Sequence, residues 1–288
     1  MRRIPDSELI INADGSIFHL HIRPDQLSDK IIMMGDPDRV TLTASFFDTI
    51  ECDIQSREFR TITGTYKGKR ITAISHGIGP DNMDIVLTEL DALANIDFNT
   101  RKVKEEFRQL TLVRVGTSGG MQLHCPVGSY VVAARSIGFD GVLNYYSGRD
   151  AICDLNFEDA FKMHTEWNLR HCSPYVVEAN KELIERIGYD MIKGVTISAI
   201  GFYGPQGRYV RMPLANVDLN SRIESFEYGG EVITNYEMES APLAGLGKLM
   251  GHKAMTICTI IANRLAGNSD VNYKGSIEDL LETVLERI

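Results

Sequence analysis

Short apolar runs rich in β-branched residues recur along this chain, most of them closing on a glycine-bearing turn ahead of a stretch of helical period. Lys30–Met34 reads as a buried strand, Gly35-Asp36-Pro37 as a turn and Asp38–Phe47 as a helix. Thr61–Tyr66 and Arg70–Ser75 flank Lys67-Gly68-Lys69 and predict a hairpin. Asn82–Ala94 has helical period, and Leu110–Val115 reads as a strand running into a turn, Gly116-Thr117-Ser118-Gly119-Gly120. Further strands are predicted at Val127–Ala134, Val195–Ile200, Val232–Asn235 and Ala254–Ile261. Helices are predicted at Pro174–Ile187, where Pro174 takes the first helical position and Gly188 follows the last, at Glu239–Met250 and at Ile277–Ile288. Such alternation predicts an α/β fold whose largely parallel sheet is covered on both faces. Charged Arg101–Arg108 reads as an exposed insertion or a helix. No Pro/Ser-rich linker or shift in composition divides the chain, so residues 1–288 read as one domain.

Composition narrows the class. The chain has 288 residues, 43% hydrophobic and 24% charged, which are globular values. Its formal net charge of −9 argues against a general nucleic-acid binder but not against an anionic ligand held by local arginines. No apolar run approaches the roughly 18 residues of a membrane span, and Met-Arg-Arg-Ile-Pro-Asp-Ser-Glu lacks the apolar stretch of a signal peptide. Five cysteines, an odd number without C-x-x-C spacing, read as free thiols in a reducing cytoplasm.

Candidate chemistry gathers at the strand ends, where open α/β sheets bind ligands. Gly35 and Arg39 flank a helix N-terminus suited to an anion. Arg114 precedes Gly116–Gly120, which admits three readings. It matches G-x-S-x-G, which would make Ser118 a hydrolase nucleophile, although no later histidine sits in a suitable loop. It could instead cradle a phosphate with backbone N–H groups and the Thr117 hydroxyl, or be a plain tight turn. Glu237-Met238-Glu239 places two carboxylates at a strand end, where a carboxylate can take two hydrogen bonds from a sugar diol or simply complement a helix dipole. Gln206 and Arg208, two apart in an extended loop, could read the carbonyl, N–H, carbonyl edge of a uracil ring. Arg264 follows the last strand.

Eight fragments in order resemble the nucleoside phosphorylase-I family: Phe18-His19-Leu20, Gly35–Val40, Arg57-Glu58-Phe59, His76-Gly77-Ile78-Gly79, Arg114–Gly120, Phe202–Arg208, Asn235–Ser240 and Asn263-Arg264. The resemblance implies a single-domain three-layer α/β/α sandwich around a mixed, largely parallel sheet. It implies reversible phosphorolysis of uridine, deoxyuridine or thymidine, yielding from uridine uracil and ribose 1-phosphate, with inorganic phosphate as co-substrate and no cofactor. Phosphate would be held by Gly35, Arg39, Arg114 and Thr117, with Arg57 from a neighbouring subunit. Ribose would be held by Met238 and Glu239, with His19 also from the neighbour. The base would lie near Ser118, Gly119 and Phe202 and be read by Gln206 and Arg208, which together with Arg114 are the candidate catalytic residues. Arg264 would order the base loop. Asn263-Arg264 stands where purine-specific members carry an aspartate, which favours a pyrimidine. Asn82 replaces a serine that, with a glutamate matching Glu58, holds an interfacial potassium ion in some members, and this speaks against a resident metal. Family members are homodimers or trimers of dimers with shared sites. The expected partners are therefore the two small substrates and further copies of the chain, with neither nucleic acid nor membrane. Water-using nucleosidases, purine phosphorylases and non-catalytic nucleoside binders are the alternatives.

Overall fold

A computed structural model describes residues 2–270 and 272–288. Ten principal strands are β1 Lys30–Met34, β2 Thr49–Ser56, β3 Phe59–Tyr66, β4 Lys69–Ser75, β5 Thr111–Gly120, β6 Tyr130–Gly138, β7 Tyr175–Glu178, β8 Ile192–Ser198, β9 Glu231–Glu237 and β10 Lys253–Asn263. The main helices are α1 Pro37–Ala44, α2 Pro80–Asn95, α3 Leu155–Thr165, α4 Lys181–Ile187, α5 Ser240–Leu249 and α6 Lys274–Arg287.

The strands form one mixed sheet in the order β9-β8-β6-β10-β5-β1-β4-β3-β2, with β7 beside β6. Two parallel blocks, β9-β8-β6 and β10-β5-β1-β4, meet where β6 runs antiparallel to β10. The far end of β5 also pairs with β9, Gly120 opposite Asn235 and Gly119 opposite Tyr236. That contact closes β9, β8, β6, β10 and β5 into a ring. Alternate residues of the central strands face opposite layers. Ile31, Met33 and Leu112 pack with α2 and α5. Ile32, Met34, Val113 and Val115 pack with α1, α4 and α6. The three-layer arrangement follows from this division of one apolar set between two helical layers.

Most of the predicted strands and helices are present, and the departures have physical causes. The Gly116–Gly120 turn does not exist. Those residues continue β5, because β10 on one side and β9 on the other offer partners for their backbone. Tyr175–Glu178, expected to be helical, is a strand antiparallel to β6. Its Tyr-Val-Val run is fully buried and suits a pleated core surface better than a helix. Helix α4 begins only at Lys181, capped by Asn180. Helix α3, unforeseen, is capped by Asp154 and buries Phe157 and Phe161, one turn apart. Strand β2 lies outside the predicted elements, although Ile50, Cys52 and Ile54 alternate with polar residues. Segment Arg101–Arg108 is not helical. Buried Arg101 holds the chain start there by donating to the carbonyls of Ile4, Pro5 and Leu9.

Candidate active site

A cavity of about 520 Å³ opens where several strands end. Strand β1 delivers Gly35 to it, and Asp36 then caps α1 by accepting from the Asp38 N–H, which sets Arg39 in the first turn. Strand β4 delivers Gly77 and Ile78, and β5 delivers Arg114, Gly116 and Thr117. The loop after β8 supplies Phe202 and Gln206, and the end of β9 supplies Glu237, Met238 and Glu239. The bend after β4 needs glycine at Gly77, whose φ is +72° and where a Cβ would lie 2.4 Å from Asn82 Nδ2.

Arg114 is 4% exposed. Its Nε donates to His76 Nε2 at 3.1 Å and its Nη1 to Glu237 Oε2 at 2.9 Å, while Nη2 donates to Glu239. Burial works against its charge, but Glu239 and Glu237 outweigh this and hold the guanidinium above the ordinary arginine range. Glu237 is also bonded by the Ser198 and Ser240 hydroxyls, both at 2.6 Å, and by the Glu239 N–H at 2.8 Å. With five donors counting the Ser240 N–H, Glu237 acts as a fixed anchor for Arg114. Glu239 accepts from the Gly79 N–H at 2.7 Å. Burial, with Glu237 beside it, raises the Glu239 carboxyl despite Arg114. Burial pushes the neighbouring Cys258 thiol up to about 12, so sulfur meets Arg114 as a neutral group.

Gln206, also in the cavity lining, is buried. Its Oε1 accepts from Arg208 Nη1 at 2.5 Å, which leaves its NH2 group as the donor. Arg208 stacks on Phe202 at 3.9 Å and donates to the Phe202 carbonyl. Arg264 lies over the Tyr236 ring at 5.0 Å with a buried Nη2 that has no partner among the described residues. Burial and the charge of Arg264 lower the proton affinity of Arg208, and burial lowers that of Arg264.

Of the residues singled out in the sequence, Gly35, Arg39, Arg114, Thr117, Phe202, Gln206, Met238 and Glu239 line this one cavity. Ser118, Gly119, Arg208 and Arg264 do not, Arg208 reaching the lining only through its contacts with Phe202 and Gln206. Ser118 is buried in β5, its hydroxyl accepting from Asn235 Nδ2 at 3.0 Å, so the hydrolase nucleophile has neither a base nor an exposed elbow. His19 and Arg57 also lie outside the cavity lining. His19 is clamped by Glu89, which accepts from its N–H and from Nδ1. Arg57 sits exposed at the β2–β3 turn with its guanidinium over Phe18. Arg39 reaches the ring of Tyr273 at 5.8 Å. In the sequence Glu237 stands out only as one of two acids, and His76, Glu89, Ser198 and Ser240 carry no local signal of a role. The Glu-Met-Glu pair was the one signal that could have pointed to the anchor.

Residues 29–288 match the family model of the phosphorylase superfamily. A uridine phosphorylase of Thermococcus kodakarensis is 28% identical, covering 88% of this chain and 79% of its own length. One of Escherichia coli is 29% identical over 88% of both chains. Among solved structures, a Trypanosoma brucei nucleoside phosphorylase described as showing uridine phosphorylase activity superposes with a TM-score of 0.87. It is 28% identical and covers 97% of this chain and 98% of its own.

Proposed function

Given that this chain belongs to the phosphorylase superfamily, we propose that it is a uridine phosphorylase, a pentosyltransferase converting uridine and inorganic phosphate to uracil and ribose 1-phosphate. One observation carries the reading. One cavity is lined by Gly35, Arg39, Arg114 and Thr117, by Met238 and Glu239, and by Phe202 and Gln206. The three sets suit, in turn, an anion, a sugar diol and a pyrimidine edge. The similarity to named uridine phosphorylases over most of the chain supports the same assignment.

Chemically, the glycosidic bond breaks through an oxocarbenium-like state while phosphate attacks the opposite face of the anomeric carbon and inverts it. No side-chain nucleophile is required. The N-terminus of α1 with Arg39, the Thr117 hydroxyl and Arg114 hold the phosphate in line, which is positioning plus electrostatics. Glu239 takes the ribose hydroxyls. As negative charge grows on the departing uracil, the Gln206 amide and the Arg208 guanidinium bind its oxygens more strongly than in the ground state, and that difference lowers the barrier.

The enzyme uses no cofactor and serves pyrimidine salvage in the cytoplasm as one catalytic domain. Its five free cysteines suit a reducing compartment. Among the described residues no helix is long and apolar enough to cross a membrane. It works as a homodimer or trimer of dimers with shared sites. His19 and Arg57, gathered around Phe18 outside their own cavity, serve the neighbour's ribose and phosphate.

The test is a panel of pyrimidine and purine nucleosides with and without phosphate, reading base and sugar phosphate together. Uracil and ribose 1-phosphate should form in equal amounts from uridine and only with phosphate. Base release undiminished without phosphate would assign a nucleosidase instead.

A further inference from the structure

We infer that His76 is a positioning residue: as a neutral hydrogen-bond acceptor it sets the plane of the Arg114 guanidinium, and thereby the direction of the one strong N–H that Arg114 has left for phosphate. The inference rests on the phosphorylase reading and assigns a role to a side chain that touches neither substrate.

The donor count leads to it. A guanidinium has five N–H groups and no acceptor. In Arg114, Nε–H goes to His76, one Nη1–H to Glu237 and one Nη2–H to Glu239, while the second Nη1–H points to the weakly accepting Cys258 sulfur at 3.7 Å. One Nη2–H remains. Three partners on three edges fix a planar group completely. With His76 removed, the two carboxylates still hold the Nη atoms, but the guanidinium can pivot about them.

The same geometry dictates the state of the imidazole. Arg114 can only donate, so His76 Nε2 must carry a lone pair and the ring proton must sit on Nδ1. His76 is wholly buried, and its position is set by its own N–H, which donates to the Met34 carbonyl at 2.8 Å. The charged groups around it agree. Burial first, then Arg114 on β5 and, least, Arg39 on α1 oppose a second positive charge there. Glu237 and Glu239 bond the other end of the guanidinium, and Glu58 packs near the adjoining Gly77. A neutral acceptor adds no charge to a site that must admit a phosphate dianion past two carboxylates. A carboxylate in its place would orient Arg114 equally well but would repel the substrate.

Two variants and one spectroscopic measurement test this. His76→Phe keeps the ring and loses the acceptor. His76→Gln places an amide oxygen close to where Nε2 lies. Losing one hydrogen bond to a charged group should lower kcat/KM for phosphate about tenfold or more in His76→Phe, with KM for uridine changed less than about threefold. His76→Gln should recover to within about threefold of wild type. In spectra of the intact enzyme with 15N-labelled histidine, the signals lost in His76→Gln should show a protonated Nδ1 and a bare Nε2 at pH 7. A protonated Nε2 there, a His76→Phe enzyme with unchanged phosphate kinetics, or equal damage to both substrate constants in both variants would each overturn the inference. A wild-type enzyme with no phosphate-dependent turnover would instead overturn the phosphorylase reading, and the histidine spectrum would still decide the acceptor role.

Discussion

At the scale of single residues, the centre of this protein is a buried cation held by two buried carboxylates. A buried pair is weak evidence for stability as a whole, yet removing one member leaves uncompensated charge behind. Arg114→Ala strands both Glu237 and Glu239. It should destabilise the fold by about 3–5 kcal/mol, a fall in Tm on the order of 10 °C readable by calorimetry, besides slowing phosphate-dependent turnover. A variant as stable as wild type would mean that the carboxylates find other partners or protons. His76 adds a pH dependence. Its folded-state proton affinity lies well below the ordinary 6.5, so below that pH the unfolded chain binds a proton that the native one refuses. Stability from this group is therefore present above pH 6.5 and is lost as the pH falls. Urea midpoints at pH 7.5 and 5.5 should drop more for wild type than for His76→Gln. Equal drops would show that His76 titrates normally.

At the scale of elements, the loop after β8 carries Gln206 and Arg208, the proposed base-reading pair, and depends on one glycine. Gly207 has a φ of +69°, and a Cβ there would lie 2.0 Å from Asn220 Nδ2. That amide donates to the Gln206 carbonyl at 3.1 Å, so the glycine lets Asn220 pin the residue proposed to face the base. Gly207→Ala combines left-handed strain with displacement of Asn220. We expect KM for uridine to rise about tenfold while KM for phosphate and Tm change little. A parallel rise in both constants would place the damage beyond the loop. Strand β5 makes the complementary point. Its glycines look like a turn when read alone, yet they are extended because β9 and β10 pair with them. Small residues there allow the ring of strands to close tightly: a Cβ on Gly120 would lie 2.8 Å from the Cys125 carbonyl oxygen.

At the scale of the whole molecule, His19 and Arg57 lie outside their own cavity lining, and the proposed sharing would have them complete a neighbour's. Two-fold symmetry would make each subunit give and receive the same pair. Arg57→Ala and Arg114→Ala proteins should each be nearly inactive. After mixing through unfolding and reassembly, half of random dimers are mixed and each has one intact site of two, so about a quarter of wild-type activity should return. Mixed oligomers that form without regaining activity would place Arg57 in its own subunit's service.

The sequence by itself determined the alternation of elements, because apolar period and turn chemistry are local: Lys30–Met34 is a strand with the predicted ends, and α2 differs from its predicted span by a few residues. It also marked several of the residues that line the cavity, Gly35, Arg39, Arg114, Gln206 and Glu239 among them, because glycines, arginines and carboxylates at strand ends leave a visible pattern. Tertiary structure decided what depends on partners distant in the chain. Tyr175–Glu178 is a strand only because β6 lies beside it, Gly116–Gly120 is extended only because two strands bracket it, and Arg114 is bound by His76 and Glu239, 38 and 125 positions away. Hydrogen-bond partners of that separation have no local signature, since the backbone between them is free to bring any polar pair together until the core has packed.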